Sequence, residues 1–199
     1  MAVGESDREG AAAFPRTVCH IGLTVPDIDR AVDWYTRVLG FGVLMAPAMI
    51  EAQDGHAGRG ASSVFGDAFG AMKQAHLTAG NGVGIELFEF LEPKTSPASA
   101  EFNYWHVGVF HICICDPDVA GLARRIAETG GKQRTAVTVS FDDEPYRWCY
   151  CEDPFGNIIE IYSHSYEQVY ANRVPQDERR APPIDKPESS PSAVGRAQA

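Results

Sequence analysis

Apolar residues recur along this chain with two periods, one of two residues and one of three to four. The run His20-Ile-Gly-Leu-Thr24 reads as a strand. It passes through Pro26-Asp27 into Ile28, Ala31, Val32, Tyr35 and Leu39, which share one face of a helix that stops at Gly40. The same order returns at His111: a β-rich run, Pro117-Asp118, then Val119, Leu122, Ala123 and Ile126 at helical spacing, ended by Gly130-Gly131. Asp27 and Asp118 are placed as N-caps. Strands are expected near 43–50, 73–78 and 85–90 after the first helix, and near 132–140, 146–152 and 158–162 after the second. A Gly/Ala-rich stretch, 54–71, lengthens the first set.

These two passages are copies of one unit. His20-Ile-Gly-Leu-Thr-Val-Pro-Asp-Ile28 aligns with His111-Ile-Cys-Ile-Cys-Asp-Pro-Asp-Val119 at an offset of 91 residues. The ends of the units match as well, Gly82-Val-Gly-Ile-Glu86 with Gly156-Asn-Ile-Ile-Glu160. Each unit reads β-α-β-β-β. The chain divides into a small polar N-terminal tail (1–15), a domain over 16–170 with module one at 16–92 and module two at 104–166, and a Pro-rich arm over 171–199. The arm has five prolines and no aromatic residue, so it is expected to be disordered or to wrap a partner.

His20, Glu86, His111 and Glu160 occupy repeat-equivalent positions inside apolar strands. A titratable group there is costly unless partnered. Two imidazoles and two carboxylates converging on one point around a pseudo-two-fold axis answer that cost by binding a divalent cation. Glu89 competes with Glu86 in the same strand, but opposite parity lets only one face the site, and the repeat selects Glu86. His106 has opposite parity to His111 and is assigned to the pocket or a loop. His56, His76 and His164 read as incidental, with His76 facing the site in one of two registers.

The strand-Pro-Asp-helix passages, together with Asp33-Trp-Tyr-Thr-Arg-Val-Leu-Gly40 and Glu152-Asp-Pro-Phe-Gly-Asn-Ile-Ile-Glu160, resemble the vicinal oxygen chelate superfamily of glyoxalase I, epimerases, extradiol dioxygenases and bleomycin-binding proteins. The resemblance covers about residues 17–166. It implies an α+β fold of two paired βαβββ modules forming an eight-stranded open barrel around a metal site. The family's ligand positions fall on His20, Glu86, His111 and Glu160. It implies one divalent ion (Ni, Co, Zn, Mn or Fe) and a homodimer.

Such a site leaves two adjacent positions for two oxygens of one substrate, stabilising an enediolate or enolate. In the resemblance Glu160 is the base that moves the proton. The expected reaction is that of a metal-dependent lyase or isomerase of the glyoxalase type. An Fe(II)-dependent extradiol dioxygenase and a non-catalytic antibiotic-binding protein are the alternatives. Thr24, Phe88, Phe90, His106, Trp148, Tyr150 and Tyr162 are the expected pocket residues, suited to a small molecule with an apolar or aromatic body. Where glyoxalase I carries an arginine four residues after its first His position, this chain has Thr24.

Charge narrows the partners. The net charge is −10, and residues 1–16 and 171–199 together contribute nothing to it, so it sits on the folded body. That body repels phosphate backbones and anionic membranes, which argues against nucleic acid or a bilayer as a partner. Five cysteines, an odd number, and an acidic, polar start point to reduced thiols and a cytoplasmic setting. The two C-x-C pairs read as small apolar residues on strands.

Overall fold

The computed structural model of the protein describes residues 16–97 and 102–171. The tail expected over 1–15 and nearly all of the arm expected over 171–199 lie outside the described residues. Module one runs β1 (His20–Thr24), α1 (Ile28–Leu39), β2 (Gly42–Glu51), α2 (Gly55–Phe65), β3 (Ala71–Thr78) and β4 (Gly84–Glu92). Module two runs β5 (Ile112–Cys115), α3 (Val119–Glu128), β6 (Lys132–Gln133), β7 (Thr138–Val139), β8 (Arg147–Glu152) and β9 (Ile158–Tyr162). A separate unit begins at Tyr166 and holds a short helix, α4 (Tyr166–Tyr170), whose two tyrosine rings lie 4.7 Å apart.

Both helices start as the caps predict. Asp27 accepts from the Arg30 amide at 3.0 Å, and Asp118 accepts from the Gly121 amide at 2.9 Å. Gly40 ends α1 with φ 71°, the left-handed region that glycine adopts at little cost.

The two sheets share one topology. Sheet one has the order β1-β4-β3-β2, and sheet two the order β5-β9-β8-β6, with β7 also paired to β8. In each, the first strand pairs in parallel with the last. The described strands therefore form a four-stranded and a five-stranded sheet, and the expected eight-stranded open barrel is not seen as one continuous sheet. Among the described residues no strand of one sheet contacts a strand of the other.

The modules join through their helices. α1 covers sheet one, α3 covers sheet two, and the two helices touch. Ile28, Ala31, Tyr35, Leu122, Ala123 and Ile126 pack there with Ile85, Leu87, Ile159 and Ile161 in a single buried core. Cys149 and Cys151 are fully buried in it, as expected of small apolar residues. Cys113 and Cys115, in contrast, are exposed.

Two local differences from the sequence reading have physical causes. The Gly/Ala-rich stretch contains a helix, α2, anchored by Ala61 and Phe65 against Phe69, Phe88 and Phe90. The strand expected over 132–140 is broken into β6 and β7. At the break the Arg134 and Thr135 amides both turn onto the Tyr150 carbonyl (2.8 and 3.3 Å), while Thr135 Oγ1 accepts from the Tyr150 amide at 2.9 Å. Two residues opposing one is a bulge, and it ends regular pairing.

Candidate metal centre

In module one the parallel pairing of β1 with β4 sets Gly22 opposite Glu86, two residues along from His20. Ile85 and Leu87 enter the core, so alternation turns Glu86 onto the opposite face. There His20 Nε2 stands 3.4 Å from Glu86 Oε2. The antiparallel pairing of β3 with β4 sets His76 directly opposite Glu86, with Nδ1 3.5 Å from Oε1. Each oxygen of Glu86 thus faces an imidazole.

Module two repeats this register. Cys113 pairs with Glu160, again two residues along from the histidine, and His111 Nε2 lies 3.1 Å from Glu160 Oε2. Glu160 is buried, at 8% exposure. Tyr150 takes the place opposite Glu160 that His76 holds opposite Glu86, and its ring stands edge-on to His111 at 5.4 Å. The Nδ1 atom of His111 is buried and has no hydrogen-bond partner among the described residues.

The four sequence-predicted ligands form two His–Glu pairs, one per sheet. They do not converge within one chain. Among the described residues, no three His, Cys, Asp or Glu side chains gather as a metal-holding group. Glu89, the rival of Glu86, points the other way. Its Oε2 accepts from the Ile28 amide at 3.0 Å at the start of α1, with Lys73 Nζ 3.6 Å away.

The expected pocket residues divide. Thr24 and Phe90 meet in a cleft of about 460 Å³, beside Pro26, Lys94 and the module-two residues Phe155 and Asn157. Phe88 and Phe90 stack 6.1 Å apart and lie beneath α2, where Phe65 meets Phe90 edge-on at 5.1 Å. Trp148, Tyr150 and Tyr162 share the face of Glu160 on β8 and β9, alternating with buried Cys149, Cys151 and Ile161. His106 sits in the exposed turn before β5, its amide on the Asn103 carbonyl and its ring against Trp105. The sequence reading left the face of His76 open between two registers, and the structure turns it toward Glu86. Its flanking residues, Ala75 and Leu77, are fully buried, and that settles which face it takes.

The module topology, the matched His–Glu register and the Asp-capped helices place the protein in one class. The chain belongs to the Glyoxalase/Bleomycin resistance protein/Dioxygenase superfamily, whose model matches residues 17–161. It is 28% identical over 147 residues to a 2-epi-5-epi-valiolone epimerase from Actinomyces sp., a match covering 72% of this chain and 77% of that protein. Among solved structures, a glyoxalase family protein from Bacillus cereus shares the fold with a TM-score of 0.60 at 21% identity, covering 76% of this chain and 97% of the other. A fosfomycin resistance protein from Listeria monocytogenes, solved with Mn(II) and a dihydroxypropylphosphonic acid, matches with a TM-score of 0.50 at 15% identity, covering 78% and 98%.

Proposed function

We propose that the protein is a divalent-metal-dependent isomerase or lyase that moves a proton on a carbon beside a carbonyl group, with His20, Glu86, His111 and Glu160 as ligands. The observation that carries this is the pair of His–Glu contacts, 3.4 and 3.1 Å, built in the same register on both sheets. Imidazole nitrogen and carboxylate oxygen are a donor set for Zn, Ni, Co, Mn or Fe. In both pairs it is Nε2 of the histidine that faces the carboxylate, so nitrogen and oxygen donors are turned toward each other on each sheet. The epimerase relative supports an isomerase, and the fosfomycin resistance protein that shares the fold was solved with Mn(II).

In this reading one site is completed by two copies of the chain. His20 and Glu86 of one copy meet His111 and Glu160 of the second, and the barrel closes between subunits. The uncovered surfaces support this. Val43, Leu44, Met45 and Met49 on β2, and Val107, Val109 and Phe110 ahead of β5, are all exposed. Monomeric proteins rarely leave so much apolar surface uncovered.

A cation in the site supplies positive charge to two oxygens of a substrate as negative charge develops on them. His20, His111 and Glu86 hold the centre. Glu160, buried beside His111, takes the carbon-bound proton and returns it. The cleft at Thr24 and Phe90 holds the apolar body of the substrate. The test is elemental analysis of wild type, Glu86→Ala and Glu160→Ala, each with a proton–deuterium exchange assay on cyclic and acyclic 2-hydroxyketones. Loss of metal in both variants supports the reading. Full occupancy in both overturns it.

A further inference from the structure

The two halves match in fold, register and ligand pair, and they differ at one position facing the carboxylate. In module two that position is Tyr150, whose ring stands against His111. In module one it is His76, whose Nδ1 faces Glu86 Oε1 at 3.5 Å while His20 faces Oε2 at 3.4 Å. Glu86 is thus divided between two imidazoles on either side of it, from β1 and β3.

We propose that His76 is a positioning residue, which holds Oε1 of Glu86 and keeps Oε2 turned toward His20 and the cation. The inference rests on the ligand assignment above. Three features carry it. A glutamate side chain has several rotatable bonds, so a ligand on an open sheet face needs something to fix it. β3 lies inside sheet one, paired on both sides with β2 and β4, which makes it a rigid platform. Ala75 and Leu77, buried on either side of His76, lock the strand face, so the imidazole stands on the same side of the sheet as Glu86 and directly opposite it. An imidazole N–H directed at a ligating carboxylate acts from outside the coordination sphere, where such partners tune affinity by about 10–100-fold. In this reading His76 acts on Glu86 and does not join the ligand set.

The experiment measures Co(II) affinity by competition titration, and the visible Co(II) absorption bands, on the full chain. The variants are His76→Ala, His76→Asn, Glu86→Gln and the His76→Ala/Glu86→Gln double. His76→Ala is expected to weaken Co(II) binding by about 10–100-fold and shift the bands. His76→Asn, whose amide N–H sits near the position of Nδ1, is expected to restore most of both. The double variant is expected to bind no worse than Glu86→Gln, because His76 acts through Glu86. Wild-type affinity and bands in His76→Ala would overturn the proposal. So would a loss that persists undiminished on the Glu86→Gln background. Wild-type protein that takes up no Co(II), Ni(II), Zn(II) or Mn(II) instead defeats the ligand assignment itself, and this inference with it.

Discussion

Tyr35 of α1 and Asp153 of the β8–β9 turn meet at 2.5 Å, hydroxyl to carboxylate, across 118 positions of sequence. The contact ties module one to module two. Asp153 also accepts from Asn157 Nδ2 at 2.9 Å and from the amides of Phe155 and Asn157 at 2.9 and 2.8 Å. Trp34 adds a second tie, Nε1 to Thr129 Oγ1 at 3.0 Å. Tyr35→Phe removes one donor from a carboxylate that is 2% exposed, and is expected to cost about 1–3 kcal/mol in urea unfolding.

Asp153 also has a pH signature. Burial raises its carboxyl above the ordinary aspartate value, against the hydrogen bonds of Tyr35 and Asn157, which lower it. A group raised in the folded state holds its proton more tightly there. Its contribution is therefore present in acid and is lost as pH rises through the folded value. The stability of wild type relative to Asp153→Asn is expected to fall from about pH 4 upward, followed by urea midpoints across pH. A flat difference would contradict it.

Its neighbour has the opposite sign. Desolvation raises the Glu152 carboxyl, but Lys132, at 2.9 Å, and Arg134 outweigh that and hold it below the ordinary glutamate value. This contribution is present above the unfolded value, about 4.3, and is lost as pH falls through the folded one. Lys132 is mostly exposed, so the effect is small, about 0.5–1 kcal/mol. Glu152→Gln is expected to lower stability at neutral pH by that amount and to leave the most acidic end of the curve unchanged.

Glu86 and Glu89 test how far strand parity can be trusted. Glu89→Ala removes the acceptor at the Ile28 amide and is expected to cost about 0.5–2 kcal/mol while leaving metal content intact. Glu86→Ala is expected to do the reverse, with metal lost and little change in the unfolding midpoint when both proteins are compared metal-free. Elemental analysis beside thermal melts separates the two.

That pair also measures what was legible in the sequence. Parity and the repeat placed Glu86 on the site face, because a slip of one residue in β4 would bury it and expose Leu87. Caps, helix faces and the order of strands were legible for the same reason: each is a local pattern. α2 was not. Its sequence, Gly55-His-Ala-Gly-Arg-Gly-Ala-Ser-Ser-Val-Phe65, carries three glycines, each unfavourable in a helix by about 1 kcal/mol. The helix forms because Gly58 lets it press on β2. A Cβ there would lie 2.0 Å from the Glu51 carbonyl oxygen, a contact that no local pattern reveals. The face of His76 stayed open because either register of β3 is locally acceptable, and only the pairing His76 to Glu86 decides it. Whether the four ligands gather within one chain or across two was not legible, for a different reason. A repeat shows which residues are equivalent, not whether their sheets face each other in one chain or in two.

Assembly across two chains makes the sharpest prediction. Take one chain carrying His20→Ala and Glu86→Ala, and a second carrying His111→Ala and Glu160→Ala. Neither alone holds a complete ligand set. When the two are mixed and allowed to exchange subunits, each mixed dimer pairs the intact module one of the second chain with the intact module two of the first. One of its two sites is then whole. An equimolar mixture is expected to regain about one in four wild-type sites, read as bound Co(II) and as activity. If each site were built inside a single chain, no mixing could restore it, and the mixture would stay as inactive as its parts.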